Sequence, residues 1–252
     1  MIDEIRERLQ KVLEEYLTLD ALLREVQNTR FRVCIFGSAR IKPRDETYSL
    51  VRGLARRLAR DGVDIVTGGG PGLMEAANRG VSEARSGESK SYGVTIELPA
   101  IAEVANKHLD IKSSHKRFSS RLDEFMRLTH AVIVAPGGIG TMLELMYVWQ
   151  LLQVHLIEPR PVVLLGREMW GGLIDWMCQA MMARGFTSPE DLEHVRVVDT
   201  PDEAIQIIRE AHRRFIGERV EVIPGPLPTG APPARPPESF PALPRQQRSR
   251  SG

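Results

Sequence analysis

Residues 131–144 read AVIVAPGGIGTMLE, and this stretch decides the fold. Ala131 to Ala135 are small or branched apolar residues with no polar alternation, the pattern of a strand buried on both faces. Pro136 stops that strand. Gly137, Gly138 and Gly140 permit a tight turn and leave the loop bare of side chains, so that backbone N–H groups can face a ligand. Thr141 is expected to open a helix whose first turn carries unpaired N–H donors and the positive end of the macrodipole, an anion site. Glu144 follows one turn further in. A carboxylate beside a phosphate-type pocket has an electrostatic reason to stand there only if it acts on another part of the ligand.

Working outward, the same strand–glycine–helix arrangement recurs. Val63 to Val66 reads as a strand leading into TGGGPGLMEAANRG at 67–80, where Gly68 to Gly70 turn the chain and Pro71 sits near the first helical position. Phe31 to Phe36 forms an earlier strand, ended by Gly37 and Ser38, with a helix over 46–60 closed by Gly62. Further strands are expected at 92–98, 109–112, 161–165 and 195–198, with helices over 113–127, 141–153, 170–182 and 201–215. This alternation argues for an α/β chain built on a doubly wound, mainly parallel sheet with helices on both faces. In such a sheet the glycine loops lie along one edge, where ligands bind.

Residues 1–28 carry apolar positions at helical spacing (Ile5, Leu9, Val12, Leu13, Tyr16, Leu17) and are read as an amphipathic helix ahead of a 29–216 domain. From 224 to 252 the composition changes: nine of the 17 prolines fall between Pro224 and Pro244, and the end is basic without apolar residues. That segment is expected to be a disordered tail.

Lys+Arg number 34 against Asp+Glu 33, a balance that gives no argument for a nucleic-acid or membrane partner. The charged start and the lack of a long apolar run point to a cytoplasmic protein. Cys34 and Cys178 have neither metal nor disulfide spacing and read as small buried hydrophobes. The six histidines show no metal pairing, and His115 stands out only as a neighbour of Arg121 on the expected 113–127 helix.

Neither glycine loop completes G-x-G-x-x-G, since Glu75 and Leu143 occupy the third positions, and no GxxxxGK[ST] run exists. Dinucleotide and P-loop readings therefore fall. Ser113-Ser114-His115-Lys116 matches the S-x-H-K around the Schiff-base lysine of some pyridoxal-phosphate decarboxylases, but no partner for a pyridine nitrogen is in evidence.

PGGIGTMLE at 136–144 resembles the PGGxGTxxE signature of the LOG family, and 67–80 resembles a second family block. The resemblance covers roughly residues 31–199. It implies a Rossmann-like fold and a phosphoribohydrolase or nucleosidase that needs no metal or organic cofactor and acts as a homodimer with sites near the subunit interface. The catalytic pair it implies is Arg121, within FSSRLDEFM, and Glu144. The main chain of Gly137, Gly138, Ile139, Gly140 and Thr141 would cradle phosphate. Ser38, Gly69 and Gly70 would line the opposite wall, with Glu75 contributing, and Glu103 would approach the base. The sequence departs from the family pattern at Ile139 (usually aromatic), Leu143 (usually acidic) and Leu122 (usually lysine).

The chemistry that fits is hydrolysis of the N-glycosidic bond of a nucleoside 5′-monophosphate, AMP-like or a cytokinin riboside monophosphate, by a carboxylate beside a carbon that turns cationic. A non-catalytic nucleotide sensor or cofactor carrier would not need Glu144. Phosphoribosyl chemistry on another metabolite is the third reading.

Overall fold

The computed structural model describes residues 5–12, 29–84, 88–97 and 104–221. Residues 5–12 are helical; the remainder of the expected N-terminal helix, the Pro-rich tail and Glu103 lie outside the described residues.

Seven parallel strands form one sheet in the order β4-β3-β2-β1-β5-β6-β7, with β1 at Arg32–Phe36, β2 at Asp64–Thr67, β3 at Ser91–Ile96, β4 at Ile111–His115, β5 at Ala131–Val134, β6 at Val162–Leu165 and β7 at Val195–Val198. Cys34 pairs with Val66 on one side and Val132 on the other, so β1 is central. The chain moves outward from β1 to β4, then returns to place β5 against the free side of β1. The loops after β1 and β5 therefore leave in opposite directions, and the crevice between them is the switch point where such sheets bind ligands.

Alternation along the strands assigns the helices. Val33, Ile35, Ile65 and Ile133 face a core built with α1 (Glu46–Arg60), α2 (Leu73–Ala84) and α6 (Pro201–Glu221). Cys34, Phe36, Val66 and Val132 face the other core, built with α3 (Phe118–Leu128), α4 (Ile139–Gln153) and α5 (Arg167–Trp176). All four residues of β5 are buried, as a strand covered on both faces must be. Asp45 caps α1 by accepting from the Thr47 N–H at 2.8 Å, and Gly62 supplies the φ of +80° that turns the chain back toward β2.

Four local expectations need correction. The residues 113–115 are strand, not helix: parallel pairing of Val94 with Ser113 and Ile96 with His115 extends β4, and α3 begins only at Phe118. His115 therefore does not share the Arg121 helix. α4 begins at Ile139 on an N-cap at Gly138, placing Thr141 inside the first turn. The 170–182 helix starts at Arg167, leaves α geometry after Trp176 and passes through a π turn at Met177–Met181. Cys178 lies on that irregular segment and is exposed, while Cys34 is buried.

Candidate active site

A cavity of about 410 Å³ opens at the switch point. Its walls come from the β1 loop (Gly37, Ser38, Ala39, Arg40), the β2 loop (Gly68) with Met74 of α2, and the start of α4 (Gly138, Ile139, Gly140, Thr141). Arg121 and Glu144 complete it. Elements separated by a hundred residues thus meet because their strands end at the same edge.

Ser38 ties these loops together. Its N–H donates to the Pro136 carbonyl at 3.0 Å, its carbonyl accepts from Leu73 N–H at 2.9 Å, and its Oγ accepts from Arg40 N–H at 3.1 Å. Gly72 must be glycine for this contact, since its φ is +70° and a Cβ there would come within 2.4 Å of the Ser38 carbonyl oxygen. In the β5 loop, a Cβ at Gly137 would lie 2.1 Å from Thr141 Oγ1, so the loop turns only without one. Gly138 and Gly140 have open space where a Cβ would stand, and Ile139 is 91% exposed. Helix α4 begins there with no side-chain cap hydrogen bond, and its first residues line the cavity.

Arg121 rises from α3 and is buried. Its Nε donates to the Val94 carbonyl at 2.8 Å, its Nη2 lies 3.5 Å from the Gly68 carbonyl oxygen, and the guanidinium stands 5.3 Å over the Phe125 ring. Nη1 reaches Glu144 Oε1 at 3.6 Å, with side-chain exposures of 9% and 13%. This separation exceeds the about 2.7–2.9 Å of a charge-assisted hydrogen bond, so the pair is electrostatic. Glu144 is the sixth residue of α4, beyond the turn where the helix dipole acts strongly; its counter-charge is Arg121. Gly68 makes room for the arginine, because a Cβ there would sit 2.3 Å from Nη2. Beneath the pair, burial pushes the Cys34 thiol well above its ordinary pKa, with the Glu144 carboxylate adding to the shift and Arg121 opposing it.

Of the expected site residues, Arg121, Glu144, Ser38, Gly138, Ile139, Gly140 and Thr141 share this cavity, and Gly137 shapes the turn behind it. Gly69 and Gly70 do not line it. The Gly69 N–H is spent on Thr67 Oγ1 at 2.9 Å, and Asn106 Nδ2 holds the carbonyls of both glycines at 3.0 Å, which turns them inward. Glu75 stands on the side of α2 nearer Tyr48 and His108, whose titrations it influences, and not on the cavity. Sequence reasoning missed Gly68, Met74 and Arg40 as wall residues. The first two belong to the 67–80 block, but their place in the cavity that Arg121 completes is a product of topology.

The Ser113–Lys116 tetrapeptide contributes nothing to the cavity. Among the described residues no group of three or more His, Cys, Asp or Glu side chains is placed to hold a metal ion, and no helix is long and apolar enough to cross a membrane.

Comparison with known proteins adds an independent line. Residues 74–208 match the family model described as possible lysine decarboxylase. A pyrimidine/purine nucleotide 5′-monophosphate nucleosidase of Escherichia coli K12 is 30% identical over 128 residues, 48% of this chain and 28% of the relative, so the chain spans well under half of that enzyme. A cytokinin riboside 5′-monophosphate phosphoribohydrolase of Mycobacterium marinum is 28% identical over 164 residues, 64% of this chain and 84% of the relative. An X-ray structure from a structural genomics consortium superposes with a TM-score of 0.55 at 24% identity, covering 71% of this chain and 99% of that one, a likeness of fold alone.

Proposed function

Since the chain belongs to the LOG family, whose model is described as possible lysine decarboxylase, we propose that it hydrolyses the N-glycosidic bond of a nucleoside 5′-monophosphate, releasing free base and ribose 5-phosphate. The observation that carries this reading is the Arg121–Glu144 pair, 3.6 Å apart in the wall of a cavity onto which the uncapped start of α4 opens. The relatives' names supply the reaction class, and the cavity supplies groups suited to it.

In this reading the phosphate sits on the N–H groups of Gly138, Ile139, Gly140 and Thr141, which favour an anion. The ribose then extends toward Glu144. As the C1′–N bond breaks, its electron pair leaves with the base and positive charge grows on C1′ and the ring oxygen, which the carboxylate stabilises. Glu144 takes a proton from the water whose oxygen bonds to C1′, and that proton balances the departing base. Arg121, braced by Val94, holds the carboxylate in position and offers its remaining donor capacity to ribose hydroxyls.

The natural substrate in this reading is AMP-like or a cytokinin riboside monophosphate, and the enzyme works as a cytoplasmic homodimer. Two observations support the last terms. The α4 sequence IGTMLELMYVWQLLQ is apolar on nearly every face, with Leu143 45% exposed, and Phe118 of α3 is 48% exposed, a surface that a second copy would cover. Cys34 and Cys178 are both unpaired thiols, as in a reducing compartment.

The test is incubation of purified protein with a panel of nucleoside monophosphates and chromatography of the products. Free base is expected. Binding without base release would favour a sensor or carrier, and carbon dioxide from lysine would restore the decarboxylase description.

A further inference from the structure

The cavity holds three ionisable side chains, Arg40, Arg121 and Glu144, and their charges are not equally available. Arg121 is committed to the Val94 carbonyl, the Gly68 carbonyl and Glu144, and is only 8% exposed. Its charge is largely balanced by Glu144. Arg40 is exposed, and among the described residues it forms no salt bridge. Its backbone is fixed all the same, because its N–H donates to Ser38 Oγ, and Ser38 is in turn bonded to Pro136 at the head of the β5 glycine loop. The root of the Arg40 side chain is therefore tied to the loop that precedes α4.

We infer that Arg40 is the residue that makes the site specific for a 5′-phosphate over the bare nucleoside; this rests on the nucleotide hydrolase reading given above. A phosphate monoester carries close to two negative charges at neutral pH. Main-chain donors satisfy its oxygens but bring only partial charge. Arg121 cannot supply the balance without releasing Glu144. Arg40 can, and its planar fork fits two phosphate oxygens at once.

The experiment compares kcat/KM for AMP and adenosine in wild type, Arg40→Gln and Arg40→Lys, with calorimetric binding of ribose 5-phosphate and ribose to each. Losing one charged contact to phosphate is expected to lower the AMP-over-adenosine preference of Arg40→Gln by about ten- to a hundredfold, mainly through KM, with partial recovery in Arg40→Lys. Ribose 5-phosphate affinity should fall in parallel, and ribose affinity should not. A preference and a ribose 5-phosphate affinity within about twofold of wild type overturn the inference, and so does an equal loss for phosphorylated and unphosphorylated ligands. If wild type hydrolyses no nucleotide, the functional reading fails, and the ribose 5-phosphate comparison still decides the role of Arg40.

Discussion

The two glycine-rich loops follow the same sequence logic and end in opposite conditions. Each joins a buried strand to a helix at the same sheet edge. The β2 loop is turned inward: Thr67 Oγ1 donates to Asn78 Oδ1 at 2.8 Å, Asn78 Nδ2 donates to Ser91 Oγ at 2.8 Å, and Asn106 Nδ2 adds a bond to Asn78 Oδ1 at 2.9 Å. Its Gly68 and Gly69 are packing glycines, since a Cβ on either would strike a neighbour. The β5 loop is turned outward, with Gly138 and Gly140 facing open space. The difference teaches that a glycine run marks a close approach of backbone to something, and only the surroundings say whether that something is protein or ligand.

The largest effect expected lies where the two loops are bridged, at Arg121 and Glu144. Glu144→Gln and Arg121→Met should each lower kcat by about 10²–10⁴-fold. Because the residues act as a unit, the double variant should lose little more than the worse single one in steady-state assays. Additive losses would mean that the pair does not work together.

Next is Gly68→Ala. The new methyl would sit 2.3 Å from Arg121 Nη2 and 2.6 Å from Met74 Sδ. The flexible methionine can swing aside, but the arginine moves only by giving up Val94. A misplacement of this kind is expected to reduce kcat/KM by up to about a hundredfold, measured beside a melting curve that shows the protein folded.

Breaking the inward loop at its centre, Asn78→Ala should cost about 1–3 kcal/mol of stability in urea unfolding, since Thr67, Ser91 and Asn106 lose buried partners. The matching change in the outward loop, Gly138→Ala, should alter stability by no more than about 0.5 kcal/mol, because its backbone is extended and nothing lies within 4 Å of the added carbon. Equal costs at the two loops would erase the distinction between them.

These contrasts also mark what the sequence could disclose. The β5 loop and Glu144 were legible because strand, turn, helix start and carboxylate are contiguous. The sheet was legible from alternation, since period and turn residues are local signals. Gly68 as the seat of Arg121 was not, because the clash it avoids comes from a side chain 53 residues away. Ser113 to His115 read as the start of the following helix, but pairing with β3 extends the strand through them. Arg40 was not legible either, because its place on the cavity wall follows from the turn after β1, where its N–H donates to Ser38 Oγ.

The proposed cleavage of a glycosidic bond by Glu144 is tested most directly by the product balance from AMP. Wild type is expected to give adenine and ribose 5-phosphate in equal amounts, and Glu144→Gln neither, although it still binds AMP. Adenosine with inorganic phosphate, or undiminished adenine release by Glu144→Gln, would contradict it.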